Sequence, residues 1–318
     1  MDNLIEYPFD PTYGYNLHSL LKVAAPAVPL DYEQFWHAKY ANALTIHPMP
    51  RILDTGVTRG QHRVFEIQYT STNDFKINGW LCLPTTGRVN RGFVVSHGYA
   101  GREGPDYHLP FSDSAILFPC CRGLSRSAQS PISTEPKWHV LHDIDKKDQY
   151  IIGGCVEDIW LAVSALIRLF PNLQQHIGFL GISFGGGVGA MAVAWDKRIS
   201  KAHFNIPSFG NQPLRLELAT TGSADSVQNF YKQNKQLTLN TLSYYDAAIA
   251  AKFITIPTHT AAALFDPMVA PPGQFSIYNA IRDDKSLFVL EAGHHDYPNK
   301  QKQDTALLKE LDTFFNTL

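Results

Sequence analysis

The sequence predicts an α/β fold: a mainly parallel central sheet flanked by helices, preceded by an N-terminal extension. Three observations predict it. Short apolar runs, each long enough for a buried strand, recur at residues 92–96, 114–118, 177–180, 202–206, 258–265 and 286–291. Segments with helical spacing or helix-forming composition lie between most of them, which is how parallel strands are connected and covered. The chain has 318 residues, 44% hydrophobic and 18% charged, enough to fill one large core of this kind.

The elements follow in order. Residues 1–50 are rich in Pro and Tyr, with one helical stretch at 32–44, and read as an extension packed on a main domain of residues 51–318. Residues 64–70 and 76–83 alternate as strands do and are separated by the turn-prone Ser71-Thr72-Asn73-Asp74, an antiparallel opening. The strand at 92–96 runs into His97-Gly98-Tyr99, and the strand at 114–118 leads to Arg122-Gly123. Residues 125–147 are polar, contain proline and are too long for an idle connection, so a functional or self-packed segment is expected.

Val156, Ile159, Trp160, Val163, Leu166, Ile167 and Phe170 repeat at helical spacing, and Pro171 stops the helix. A strand at 177–180 precedes Gly181-Ile182-Ser183-Phe184-Gly185, and a small-residue helix at 186–195 follows. Beyond the strand at 202–206, the polar region from 212 to about 246 reads as helical and outside the sheet. The last two strands, 258–265 and 286–291, are followed by an amphipathic tail at 302–315. No internal repeat or low-complexity tract interrupts this order.

Bulk properties exclude several function classes. A net charge of -2 provides no electrostatic footprint for nucleic acid. Cys82, Cys120, Cys121 and Cys155 form no CxxC pair and no zinc-type cluster, and the adjacent Cys120–Cys121 after an apolar run read as free buried thiols. The opening Met1-Asp2-Asn3-Leu4-Ile5-Glu6 has neither a basic nor an apolar leader region, and no stretch is long and apolar enough to span a bilayer. A cytoplasmic protein with no membrane partner, no metal and no cofactor is expected.

The chemistry concentrates at Gly181–Gly185. A serine hydroxyl is a poor nucleophile unless it is exposed, aligned and next to a base. A sharp strand-to-helix turn exposes it, and glycine on both sides relieves the crowding. This context is the nucleophile elbow of α/β-hydrolases, whose triad partners follow in the order Ser, Asp or Glu, His. Downstream of Ser183, Asp266 directly follows an apolar strand, where open α/β sheets keep their sites. A turn or N-cap aspartate is its competing reading, and Asp283, Asp284 and Asp296 are weaker candidate acids.

The base lies in Gly293-His294-His295 after the last strand, and His294 is favoured because it directly follows the glycine. A two-histidine metal site is the competing reading, without a nearby third-ligand pattern. The backbone N–H of Phe184 and that of Tyr99 are the expected oxyanion donors. His97 reads as a packed strand-end histidine. Arg122, Trp138 and His295 are the candidate substrate-binding residues, with plain packing the alternative for Trp138.

These segments resemble the acetyl xylan esterase / cephalosporin C deacetylase family of carbohydrate esterases from about Asp31 to the C-terminus. Asp31-Tyr32-Glu33-Gln34-Phe35-Trp36 is similar to its N-terminal helix, and Ile77-Asn78-Gly79-Trp80-Leu81-Cys82-Leu83-Pro84 to one of its strands. His97-Gly98-Tyr99, Gly181–Gly185, Asp266 with Pro271-Pro272, and Gly293-His294 fall where its oxyanion, nucleophile, acid and base motifs lie. The sequence departs from that pattern at Leu124 and Phe184, where the family carries Gln, and at His295, where it carries Glu. The resemblance implies a small-acyl ester hydrolase, acting on acetylated sugars or related small molecules, and a cytoplasmic homo-oligomer, dimer or hexamer.

Three functions fit the residues. The first is a carboxylic-ester hydrolase working through an acyl-enzyme. The second is an amidase, peptidase or acyltransferase on the same scaffold, since fold alone does not select the chemistry. The third is a non-catalytic binding protein with a fossil triad.

Overall fold

The computed structural model describes residues 6–282 and 284–318. Ahead of the sheet lie a one-turn helix α1 (Leu17–Leu20) and α2 (Tyr32–Leu44). Strands β1 (Arg51–Arg59), β2 (His62–Thr70) and β3 (Lys76–Pro84) then form an antiparallel meander. The remaining strands are β4 (Arg91–Ser96), β5 (Ser114–Pro119), β6 (Ile177–Ile182), β7 (Ile199–Asn205), β8 (Thr258–Ala263) and β9 (Lys285–Leu290). All six are parallel to one another, and the nine-stranded order is β1-β2-β3-β5-β4-β6-β7-β8-β9.

The intervening helices are α3 (Pro136–His139), α4 (Ile151–Leu169), α5 (Phe184–Val193), α6 (Gln212–Glu217), α7 (Ala224–Gln233), α8 (Lys235–Leu242) and α9 (Ala247–Ala251). They are followed by α10 (Pro271–Ala280) and α11 (Lys300–Phe315). Among the described residues two large apolar cores lie against the sheet, with a smaller third at Leu20, Ala262 and Phe275. One gathers α2, α4, α5 and α9 around Trp36, Trp160 and Tyr245, and the other holds Phe93, Phe111 and Phe315 under α11. This is the predicted α/β architecture. Among the described residues no helix is long and apolar enough to cross a membrane.

The N-terminal segment packs along the domain. Trp36 is fully buried and its indole N–H donates to Tyr244 O, while Lys39 Nζ lies 3.0 Å from Glu157. Strand β1 was not predicted, because every residue in it is solvent-exposed and it carries no buried alternation. Helix α4 begins at Ile151 rather than 156. Its Gly153 and Gly154 are where the helix meets the Tyr245 ring and the Arg122 side chain, and a Cβ at either would overlap them.

Arg122 was expected at the substrate and is instead structural. Its guanidinium is buried, with Nη2 2.6 Å and Nε 3.1 Å from Asp158 on α4, and it also donates to the hydroxyls of Ser71 and Thr72. Its backbone N–H donates to the same carboxylate at 2.9 Å. The network ties the end of β5 to the β2–β3 turn and to α4. Removing one member of a buried pair leaves an unpaired charge. Arg122→Ala is therefore expected to lower the unfolding free energy by about 3–5 kcal/mol in denaturant titration; a change within 0.5 kcal/mol would mean the network is dispensable.

Candidate active site

The carboxyl ends of β4, β6, β7, β8 and β9 open into a cavity of about 780 Å³ with mostly apolar walls. Ser183 stands at its base, between β6 and α5, with φ 53° and ψ -114°. This backbone conformation is costly for a residue bearing a Cβ and persists only where the surroundings enforce it. Here they do. A Cβ at Gly181 would overlap the Gly185 carbonyl, and one at Gly185 would come within 2.7 Å of His97 O. Ser183 N–H donates to Asn205 O and its carbonyl accepts from Gly187 and Ser208, so the turn is fixed from three sides.

Two of the expected partners meet this serine. His294 Nε2 lies 2.9 Å from Ser183 Oγ, and its Nδ1 lies 2.8 Å from Asp266 Oδ2. With Asp266 as acceptor, Nδ1 carries the proton and Nε2 accepts from the serine hydroxyl, which leaves a base aimed at the nucleophile. Asp266 is fully buried. Its Oδ1 accepts the backbone N–H groups of Met268 and Val269, each at 2.9 Å, and its Oδ2 also accepts from Gln274 Nε2 at 2.9 Å. Gly293 sits where a side chain would overlap Asp266 Oδ2, which explains glycine before the histidine.

Of the two residues expected to supply oxyanion donors, Tyr99 lines the cavity and Phe184, directly after Ser183, is fully buried beside it. Neither Phe184 N–H nor Tyr99 N–H has an acceptor among the described residues. The Phe184 N–H is the first of α5, where helix N-termini leave donors open and the dipole favours negative charge. Aromatic packing holds both residues: the Tyr99 and Phe184 rings are 4.4 Å apart, and Phe209 flanks them. Tyr99 OH bonds His139 Nδ1 at 2.9 Å, and His139 Nε2 donates to Arg122 O at 2.9 Å. His97, buried at the end of β4, accepts from Cys121 N–H and donates to Gly98 O, the packed role expected of it.

The other candidates divide. His295 lines the cavity, with Nδ1 3.0 Å from Tyr7 OH in the N-terminal segment. Arg122 and Trp138 do not line it: Arg122 is held by Asp158, and Trp138 is 56% exposed, with Lys137 over its ring. Only Pro136 of that short helix reaches the cavity wall. Of the weaker acids, Asp296 is exposed at the rim, Asp284 lends its carbonyl to Thr258 N–H, and Asp283 lies outside the described residues. Among the described residues no group of three or more His, Cys, Asp or Glu could hold a metal ion, and all four cysteines are free and buried.

Sequence reasoning missed Gln274. It is fully buried on α10, accepts from Ala263 N–H at 2.9 Å and donates to Asp266 Oδ2 and Val269 O. It also missed Pro11, whose carbonyl accepts Asp266 N–H at 3.1 Å. Neither belongs to a local motif, so no signal marked them.

Sheet order, crossover helices and a serine elbow joined to a histidine and an aspartate define the α/β-hydrolase class. The profile of the acetyl xylan esterase (AXE1) family matches residues 17–310, and the chain belongs to that family. Among curated proteins it is similar to acetyl esterase Axe7A of Xylanibacter ruminicola, 21% identical over 159 residues. That region is 49% of this chain and 36% of the relative, so the chain matches about a third of its length. Among solved structures, the acetyl xylan esterase from Paenibacillus sp. R4 superposes with TM-score 0.80 at 19% identity, over 93% of this chain and 99% of that one. Acetyl xylan esterase 1 from Thermoanaerobacterium sp. JW/SL YS485 gives 0.77 at 17% identity, over 95% and 99%. The acylaminoacyl peptidase of Pyrococcus horikoshii shares the fold at 0.62 and 16%, over 81% of this chain and 42% of its own.

Two outcomes are expected from these contacts. Gln274→Leu leaves Ala263 N–H and Val269 C=O without their partner, and should lower the unfolding free energy by about 1–3 kcal/mol in denaturant titration. An unchanged midpoint would show that water replaces the amide.

The second concerns pH. Burial pulls the His139 pKa down to about 4, against about 6.5 when unfolded. Between those values the unfolded chain binds a proton that the folded chain refuses. Stability is therefore lost as pH falls from about 6.5 to 4, at up to about 1.4 kcal/mol per unit for this one site. Burial pulls His203 and His259 the same way, while Asp246, raised to about 6, opposes them. His139→Gln should flatten the slope relative to wild type in that window; parallel curves would show that His139 does not titrate with unfolding.

Proposed function

We propose that the protein removes acetyl or other short acyl groups from small-molecule esters, acetylated sugars among them, through an acyl-enzyme on Ser183. The observation that carries this reading is the Ser183–His294–Asp266 hydrogen-bond relay at the base of the cavity. Ser183 Oγ attacks the ester carbonyl as its proton passes to His294 Nε2. Asp266 orients the ring and stabilises the imidazolium. The carbonyl oxygen becomes anionic and is received by Phe184 N–H and Tyr99 N–H, donors that need no reorganisation during the step. His294 then gives the proton to the departing alcohol, and water, deprotonated by the same nitrogen, releases the acyl group and restores the serine.

In this reading residues 51–318 are the catalytic domain, and the segment before them braces it through Pro11 and Tyr7. His295 contacts substrate at the cavity wall. The resemblance to cephalosporin C deacetylases supports a cytoplasmic homo-oligomer, dimer or hexamer, and four free thiols fit a reducing compartment.

The test is hydrolysis of p-nitrophenyl acetate, butyrate and octanoate, with wild type beside Ser183→Ala. Acetate should be preferred, and the variant should lose activity by at least about 10⁴-fold along with fluorophosphonate labelling. Activity retained in Ser183→Ala would remove the serine mechanism; none in wild type would favour a fossil site.

A further inference from the structure

We propose that the ester this site accepts carries a carboxylate, and that Arg215 receives it. The inference rests on the ester-hydrolase reading and narrows its substrate class. Arg215 projects from α6 and lines the same cavity as Ser183 and His294. Its guanidinium carbon lies 5.1 Å from the centroid of the Phe209 ring. Phe209 in turn lies 6.0 Å from Phe184 and 6.5 Å from Tyr99, the residues offering the two open N–H groups. The Phe209 ring thus contacts the guanidinium and packs near the rings of both residues.

What singles out Arg215 is its lack of an anionic partner. Five arginines of the described chain are buried or half-buried: 91, 102, 122, 198 and 215. Four of them are ion-paired, with Asp113, Asp106, Asp158 and Asp196 respectively. Among the described residues, Arg215 has no carboxylate within 4.0 Å. Its one guanidinium hydrogen bond there is a long one, Nη1 to Gln212 Oε1 at 3.3 Å, from a group with five N–H donors.

The cavity's own carboxylates do not answer it. Asp296 and Asp304 are exposed at the rim, and Asp304 is paired with Lys300. Asp246, behind α6, spends its oxygens on the backbone N–H groups of Asn211, Gln212, Ala248 and Ile249. A desolvated cation without a counter-charge is unfavourable, and a planar guanidinium fork in an apolar cavity matches a carboxylate in two parallel hydrogen bonds. A neutral sugar ester would leave that charge unanswered.

The carboxylate could sit on the alcohol or on the acyl side, and paired substrates distinguish them. The first pair is 4-acetoxybenzoate against 4-acetoxybenzamide. The second is the p-nitrophenyl monoester of succinate against p-nitrophenyl butyrate. Wild type should prefer the anionic member of one pair by at least about tenfold in kcat/KM, carried mainly by KM. That ratio should fall towards one in Arg215→Gln and lie between in Arg215→Lys, which keeps the charge but not the fork. If Arg215→Gln does not fold, the wild-type ratio and Arg215→Lys still decide. A wild-type ratio at or below one in both pairs, or equal ratios in wild type and Arg215→Gln, would overturn the proposal. Calorimetric titration of Ser183→Ala with the first pair, and with succinate monomethyl ester against methyl butyrate, reads the preference without turnover. A retained binding preference with no hydrolysis by wild type would sink the esterase reading alone; hydrolysis with no preference in either measurement would sink this inference alone.

Discussion

The backbone conformation of Ser183 is the constraint on which the rest of the site depends. A residue with a Cβ held at φ 53°, ψ -114° is not stable by itself. It is held because β6 arrives between two parallel neighbours, β4 and β7, and α5 leaves immediately, with a glycine on either side of the turn. The strain does three things at once. It brings Ser183 to the cavity, leaves the first N–H of α5 without an acceptor among the described residues, and lets the Ser183 carbonyl accept from Ser208 N–H. A looser turn would lose all three together.

The proposed acid and base, Asp266 and His294, are held by a separate set of contacts that spans almost the whole chain. Asp266 is gripped by two backbone N–H groups of its own turn, by Gln274 from α10, and through its own N–H by Pro11. Gly293 lets the following loop pass against the carboxylate closely enough for His294 to bridge 2.8 Å on one side and 2.9 Å on the other. The N-terminal segment is thus part of the scaffold that positions the acid, although it stands outside the sheet.

Much of this was legible in the sequence because the signals are local. Parallel strands buried on both faces read as apolar runs, and the elbow, the strand-end aspartate and the glycine–histidine pair each sit within a few residues of the strand that presents them. What was illegible depends on distance. Strand β1 buries nothing, so no pattern betrays it. Helix α10 opens with Pro-Pro-Gly, which reads as a turn until Phe275 and Ile277 are seen to be buried. Arg122 was misread because its partner is 36 residues away, on the first turns of a helix whose start was itself placed too late. Gln274 and Arg215 belong to no motif; the contact with Asp266 brings forward the first, and the cavity's charge balance the second.

The residues that depart from the resembled pattern follow a common logic. Leu124 is buried in the core, and Phe184 stacks on His97 and packs at a tilt against Tyr99. An oxyanion donor supplied by the backbone does not need a polar side chain on the same residue; it needs the peptide held still. In this protein apolar packing holds both of the proposed donor residues. Phe184, Tyr99 and Phe209 form a ring cluster, and His139 closes it with a hydrogen bond from the Tyr99 hydroxyl. Phe184 in place of a polar residue keeps the backbone N–H while its ring joins the buried core rather than the cavity wall. His295, in the loop after β9, and Arg215, on α6 beyond β7 and without a carboxylate partner among the described residues, line the same cavity.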